Sequence, residues 1–254
     1  MSFRSWKSYR EFSREVMHGN RYIHGSNVTE FLFQVLKTSK ERIRTIQSGS
    51  FFWRAQLGNN WKPVYVDGNK NTEEPIPFPP ERMKPVKFSA PEERANPKGI
   101  PYLYLATDKE TAMSEVRPWI GSYISVGQFK TVENLHLIDC SIHHDRGVVF
   151  YLDEPSEQEK EQAVWADIDK AFSEPVTMSD KSSDYVPTQI IAELFKNEGF
   201  DGVLYKSALS TGFNLVLFDM NSVTIINCFL YEAKQISFSF EETANPYFVS
   251  GSGT

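Results

Sequence analysis

The chain has 254 residues, enough for one sizeable domain or two small ones, with the apolar and charged fractions of an ordinary globular protein. A net charge of −6 argues against a general affinity for nucleic acid or an anionic membrane, and two cysteines exclude a disulfide framework. No apolar run approaches the roughly 20 residues of a membrane helix, and residues 1–14 are too polar for a signal peptide, so a cytoplasmic chain is expected.

Phe3, Trp6, Tyr9, Phe12 and Val16 recur at helical spacing, as do Phe31, Leu32, Val35, Leu36, Ile43 and Ile46. Asn27 and Glu30 read as a capping signal for the second helix, which the pattern carries to about Ile46 before Gly49. Residues 1–48 are thus expected to form an N-terminal helical extension packed on the main domain, with partner binding or a homodimer contact as the alternative. Residues 51–56 read as a short strand with an arginine, Arg54, among aromatics. Such an arginine either snorkels or pairs structurally, or it points into a cleft and meets an anion bidentately.

Residues 61–100 are proline-punctuated and loop-rich, with a turn expected at residues 67–71. Then comes the most organised stretch. Pro97, Gly99 and Pro101 mark turns, residues 102–106 form an apolar strand, Thr107 with Glu110 reads as a capping box, and Pro118 stops the helix. Glu115 therefore sits at the end of a short helix, where an acid is ordinarily just a solvated residue. Strands follow at residues 123–129 and 135–139. Cys140 and Cys228 lie in apolar surroundings and read as buried free thiols. His136, His143 and His144 show no metal-ligand spacing, so no metal site is expected.

Residues 155–172 read as an acidic amphipathic helix and residues 180–184 as a polar loop. A helix opened by Pro187 ends at Gly199, and strands are expected at residues 200–208, 213–218, 223–226 and 236–240, before a polar, frayed tail at residues 241–254. Ser207 closes the first of these strands, a usual place for a turn serine.

Three blocks in this order resemble the RES domain family. The first is Arg54 on an early aromatic strand. The second is Arg94-Ala95-Asn96-Pro97-Lys98-Gly99, a strand, and the Glu115 helix. The third is Tyr185 with Thr188-Gln189, a helix, then Gly202 with Tyr205 and Ser207, and Asn214 on the last strand. Two positions depart from the family pattern: Glu93 stands where a glycine is usual, and Ala95 where an aromatic is usual.

The resemblance implies an α+β fold, an ADP-ribosyltransferase-like core of two small packed sheets with flanking helices, preceded here by the N-terminal helical segment. It places the RES domain at residues 49–230, with a Pro-rich insertion at about 62–93, and leaves residues 231–254 as a C-terminal strand and flexible tail. It implies a toxin of a toxin–antitoxin pair that degrades NAD at the nicotinamide–ribose bond. By family position, Glu115, Arg54 and Ser207 are the expected catalytic residues. Arg94, Asn96, Tyr104, Tyr205 and Asn214 are the expected NAD-binding residues.

The chemistry is consistent with those residue types. Guanidinium groups match pyrophosphate oxygens, a carboxylate stabilises an oxocarbenium-like ribose, and tyrosines can stack on the nicotinamide or adenine ring. No cofactor is implied. NAD is the substrate, with water or inorganic phosphate as acceptor. The implied partner is an Xre-type helix-turn-helix antitoxin, without direct contact to nucleic acid or membrane. The alternatives are an ADP-ribosyltransferase acting on a macromolecule and a non-catalytic nucleotide- or partner-binding module. On a plainly structural reading, Arg54 and Glu115 would merely pair in the core.

Overall fold

The structure is a computed structural model that describes residues 3–67, 69–86, 88–142, 144, 151, 153–174, 182–237, 239, 240 and 242. Two helices, α1 (Ser8–His18) and α2 (Ser26–Ser39), precede strands β1 (Ile43–Ile46) and β2 (Phe51–Leu57). A hairpin of β3 (Asn60–Val66) and β4 (Asn69–Ile76) follows, then β5 (Leu103–Ala106), α3 (Lys109–Glu115), β6 (Tyr123–Thr131) and β7 (Leu135–Asp139). Helices α4 (Glu157–Ser173) and α5 (Val186–Asn197) lead into β8 (Gly202–Lys206), β9 (Phe213–Leu217) and β10 (Val223–Glu232). No helix among the described residues is long and apolar enough to cross a membrane.

Eight strands join in the order β1-β7-β8-β9-β5-β2-β6-β10, and β3–β4 stand apart as a two-stranded sheet. Among the described strand pairs of this sheet, β7–β8 run parallel and the others antiparallel. A parallel pair needs a long crossover, and α4 and α5 occupy that connection. The α+β architecture agrees with expectation, but the two small sheets are two halves of one large sheet. The five strands from β1 to β5 meet the three strands β2-β6-β10 through one registered pair, Trp53↔Ala106.

The central strands are apolar on both faces. Leu103, Leu105, Leu204, Leu215 and Leu217 enter one core with Phe52, Met83 and Phe129. Their alternates, Tyr102, Val203, Tyr205 and Val216, face a second core built by the helices. A third cluster, of Ala55, Ala106, Ala112, Ile124 and Val126, seats α3 against the junction of the two halves. The three alanines among them let the helix approach the sheet closely.

The N-terminal helices belong to the main core: Phe3, Tyr9, Phe12, Val16, Val28, Phe31 and Val35 pack with Trp165, Phe172 and Phe195. Trp165, fully buried, donates from Nε1 to Thr38 Oγ1 at 2.9 Å and carries the Arg42 guanidinium over its ring at 4.2 Å. The second helix, expected to reach Ile46, stops at Ser39; Ile43–Ile46 is a strand. Its β-branched residues find an unpaired edge at β7, in register Ile43↔Ile138 through Ile46↔Leu135. A sheet edge supplied from about ninety residues away overrides the helical spacing.

The Asn27 and Glu30 signal does not cap the second helix. Gly25 is its N-cap, without a side-chain bond, and Asn27 Oδ1 accepts instead from Arg4 Nη1 at 2.8 Å, with Glu30 paired to the same guanidinium. Much of the expected loop at 61–100 is the β3–β4 hairpin, where Pro63 and Pro75 are tolerated because a two-stranded ribbon leaves free edges. At the expected turn Asp67 takes φ 51°, while Gly68 lies outside the described residues.

The strand expected at 223–226 runs on to Glu232, with a register shift between Ile225 and Asn227. Ile236, Ser237, Ser239 and Phe240 form no strand, and Phe238 is not described. Of the expected polar loop at 180–184, the described end is a 3-10 turn, Ser182–Tyr185. Residues 243–254 of the expected frayed tail lie outside the described residues, as do His143 and residues 145–150. Cys140 is fully buried, Cys228 is half-buried, and both thiols are free.

Candidate active site

The short helix α3 is fixed at its N-terminus by Asp108, one residue later than the expected Thr107. Asp108 accepts from the Thr111 backbone N–H at 2.7 Å, from Thr111 Oγ1 at 2.9 Å and from Thr107 Oγ1 at 3.0 Å. Burial raises the Asp108 pKa, but these hydrogen bonds and the Lys206 charge outweigh it and hold the carboxyl below its ordinary range. Thr107 serves the next strand instead: its Oγ1 accepts from Phe213 N at 3.0 Å. The β8–β9 loop presses against this cap at Gly212, where a Cβ would stand 2.1 Å from Asp108 Oδ2 and 2.2 Å from Thr111 Oγ1. Only a glycine allows that approach. It lays the loop along α3 and brings Ser207 to the helix's other end.

There Glu115, the last residue of α3, is gripped by two donors. Ser207 Oγ donates to Glu115 Oε1 at 2.7 Å and Asn214 Nδ2 donates to the same oxygen at 2.6 Å. Ser207 is 3% exposed and Asn214 7%, while Glu115 is exposed. The carboxylate is thus anchored from the protein side and open on the other. Leu209 N donates to Ser207 Oγ at 3.2 Å, so the hydroxyl's single proton is directed to Glu115.

Arg54 sits where the two halves of the sheet part. Beyond Trp53↔Ala106 the β2–β5 ladder has no further registered pair, and Arg54 Nη1 donates to the Tyr104 carbonyl at 3.2 Å. Its Nε is buried with no hydrogen-bond partner. Burial lowers the Arg54 pKa, and the neighbouring Glu93 and Tyr104 act in the opposite sense. The sheet junction opens into a cavity of about 280 Å³ lined by Arg54, Glu93, Tyr104, Glu115, Tyr205 and Asn214. An adjoining recess of about 360 Å³ shares five of these residues and adds Arg94, Arg117, Tyr185 and Leu209. Burial pushes the Tyr104 and Tyr205 phenols above their ordinary range, so both are neutral donors.

Of the expected site residues, Arg54, Glu115, Tyr104, Tyr205 and Asn214 therefore line one cavity, and Ser207 is bonded to its carboxylate. Arg94 and Asn96 are placed differently. Arg94 reaches the recess, but Nη1 and Nη2 donate to the Phe172 and Glu174 carbonyls, closing the C-terminal end of α4. Asn96 is 2% exposed and lines neither cavity. Its Nδ2 donates to the Pro91 and Pro97 carbonyls at 2.9 and 3.2 Å, and its Oδ1 accepts from the Tyr104 hydroxyl at 2.8 Å. Asn96 thus shapes the loop and is not brought to the cavity wall with the other expected residues.

Two charged residues that line these spaces were not expected from the sequence. Glu93 lines both spaces, with its pKa raised by burial and lowered by Arg54. Its one sequence signal was the departure from glycine. Arg117 lines the recess two residues beyond Glu115.

The RES domain family model matches residues 68–239. The chain belongs to the RES-domain family. The matched residues of this RES-domain protein include Glu93, Glu115, Ser207 and Asn214, while Arg54 precedes them and joins the cavity through the pairing of β2 with β6. Among solved structures, the M. tuberculosis MbcT-MbcA toxin-antitoxin complex is similar at a TM-score of 0.37 and 13% identity, over 78% of this chain and 92% of that one. No curated protein matches the chain.

Proposed function

We propose that this RES-domain chain cleaves the N-glycosidic bond between nicotinamide and ribose in NAD, acting as a toxin restrained by an antitoxin partner. The observation that carries the reading is the Glu115 carboxylate, held by Ser207 and Asn214 at the wall of a cavity that also contains the Arg54 guanidinium.

As the C1″–N bond breaks, its electron pair leaves with neutral nicotinamide and the ribose becomes oxocarbenium-like. A carboxylate already fixed in place stabilises that charge without reorganising. Glu115 fits this role because Oε1 takes both anchoring bonds while Oε2 has no hydrogen bond among the described residues. The buried, unpartnered Arg54 Nε is a donor in search of an anionic or carbonyl acceptor. The acceptor nucleophile, water or inorganic phosphate, then bonds to C1″. Water loses a proton in the step and yields ADP-ribose; phosphate yields ADP-ribose-1″-phosphate. The implied antitoxin is of the Xre helix-turn-helix type, and covering the open face of Glu115 would suffice to silence the site.

The test is a time course of NAD with the purified chain, with and without phosphate, separating nicotinamide from the ribosyl product. Nicotinamide release that disappears in Glu115→Ala is expected, and the product identifies the acceptor. A folded, antitoxin-free chain that releases none at any phosphate level would sink the reading in favour of a non-catalytic binding module. Label carried from NAD into protein or nucleic acid would instead make it an ADP-ribosyltransferase.

A further inference from the structure

The cavity and its adjoining recess are lined by three arginines, Arg54 in the first and Arg94 and Arg117 in the second, and their surroundings differ. Arg54 faces the Glu93 carboxylate and is committed through Nη1 to the Tyr104 carbonyl. Arg94 is committed through both terminal nitrogens to the Phe172 and Glu174 carbonyls. Arg117 is exposed on the recess wall, and its guanidinium has neither hydrogen bond nor ion pair among the described residues.

The backbone at Arg117 is also unusual. It adopts φ 46°, the left-handed region that favours glycine, although it bears a long side chain. It also precedes Pro118, whose ring drives the preceding residue toward extended conformations. The turn is closed by Arg117 N donating to Ser114 O at 3.0 Å. A glycine would satisfy this turn better, so the strain accompanies the side chain, and the side chain lies beside Glu115. Backbone strain of this kind concentrates at ligand clamps.

We infer that Arg117 is the diphosphate-binding residue of the cleft, its free guanidinium taking the pyrophosphate oxygens of a nucleoside-diphosphate ligand while Glu115 meets the adjoining ribose. The inference rests on the NAD reading for the identity of the reacting ribose. It moves the anion-binding role from Arg94, whose two terminal nitrogens already bind backbone carbonyls, to a residue whose terminal nitrogens bind nothing among the described residues. A guanidinium presents parallel N–H donors that fit two phosphate oxygens at once, a match an ammonium reproduces only in part. Arg117 and Glu115, two residues apart at the end of α3, line the same recess, so one ligand can meet both.

The experiment is calorimetric titration of ADP and of inorganic pyrophosphate into the wild-type chain, Arg117→Gly and Arg117→Lys, with a thermal melt of each. Binding to the wild type is expected, weakened about 10–100-fold in Arg117→Gly by loss of one bidentate charge-assisted pair, and to a lesser degree in Arg117→Lys. The glycine variant relieves the turn, so its melting midpoint should hold or rise, which separates loss of ligand from loss of fold. Equal binding by the wild type and Arg117→Gly, or no binding by the wild type, overturns the assignment. These titrations need no turnover, so they are read independently of NAD cleavage. If nicotinamide release occurs with a KM unchanged by Arg117→Gly, the cleavage reading stands and the Arg117 role falls.

Discussion

The Glu115 anchor gives the sharpest prediction. Ser207→Ala and Asn214→Ala each remove one donor, at 2.7 and 2.6 Å, from the same carboxylate oxygen. A hydrogen bond to a charged group contributes about 1.5–3 kcal/mol. Glu115 is exposed, so water replaces part of each lost bond and the lower end of that range applies. At about 1.4 kcal/mol per tenfold, kcat/KM for nicotinamide release should fall about 10–30-fold in each single variant. The two donors act on one atom, and once either is gone the carboxylate is free to turn away from the ribose that the proposed NAD cleavage would place there. The double variant should therefore fall well short of the product of the single effects. Asn214→Asp is harsher: it replaces the donor with a second carboxylate against Glu115, and the rate should fall further than in Asn214→Ala. Initial rates are the assay, with circular dichroism to verify folding. Single variants within twofold of the wild type, or a double variant equal to the product, would refute a carboxylate positioned by Ser207 and Asn214.

Three further outcomes are expected away from the carboxylate. Asp108→Ala removes the N-cap of α3 and should cost about 0.5–2 kcal/mol of stability by denaturant melt. Because the folded-state pKa of Asp108 is depressed, its contribution is present above the ordinary carboxylate range and fades as the pH falls through the folded value, below about 4; Asp108→Ala should lack that part of the acid transition. Gly202→Ala would place a Cβ 2.1 Å from the Val216 carbonyl in the β8–β9 ladder, so about 3 kcal/mol or more is expected, read as a large drop in melting midpoint. Thiol titration of the native chain should modify half-buried Cys228 slowly and spare fully buried Cys140, whose pKa burial pushes well up, with both reacting in denaturant; rapid native modification of both would contradict the packing around Cys140.

The sequence by itself determined the elements whose information is local. Residues 102–106 are a short apolar run, Pro118 stops a helix that cannot continue through it, and Pro187 opens α5, so these elements and the position of Glu115 at a helix end were legible without neighbours. The family blocks carried the rest of the candidate site as far as Ser207 and Asn214. Tertiary structure alone decided whatever depended on a distant partner. Ile43–Ile46 is a strand because β7 offers an edge, and Asn27 with Glu30 holds Arg4 because that guanidinium lies nearby. Arg94 and Asn96 hold up a loop because the α4 terminus and Tyr104 present unpaired polar groups to them. Glu93 lines the cavity where the sheet halves part, and Arg117 lines the adjoining recess beyond the end of α3. Spacing along a chain records which side chains share a face, but not which carbonyl or carboxylate that face will meet. A polar side chain's role is fixed by the partner it finds, and here most of those partners lie far away in sequence.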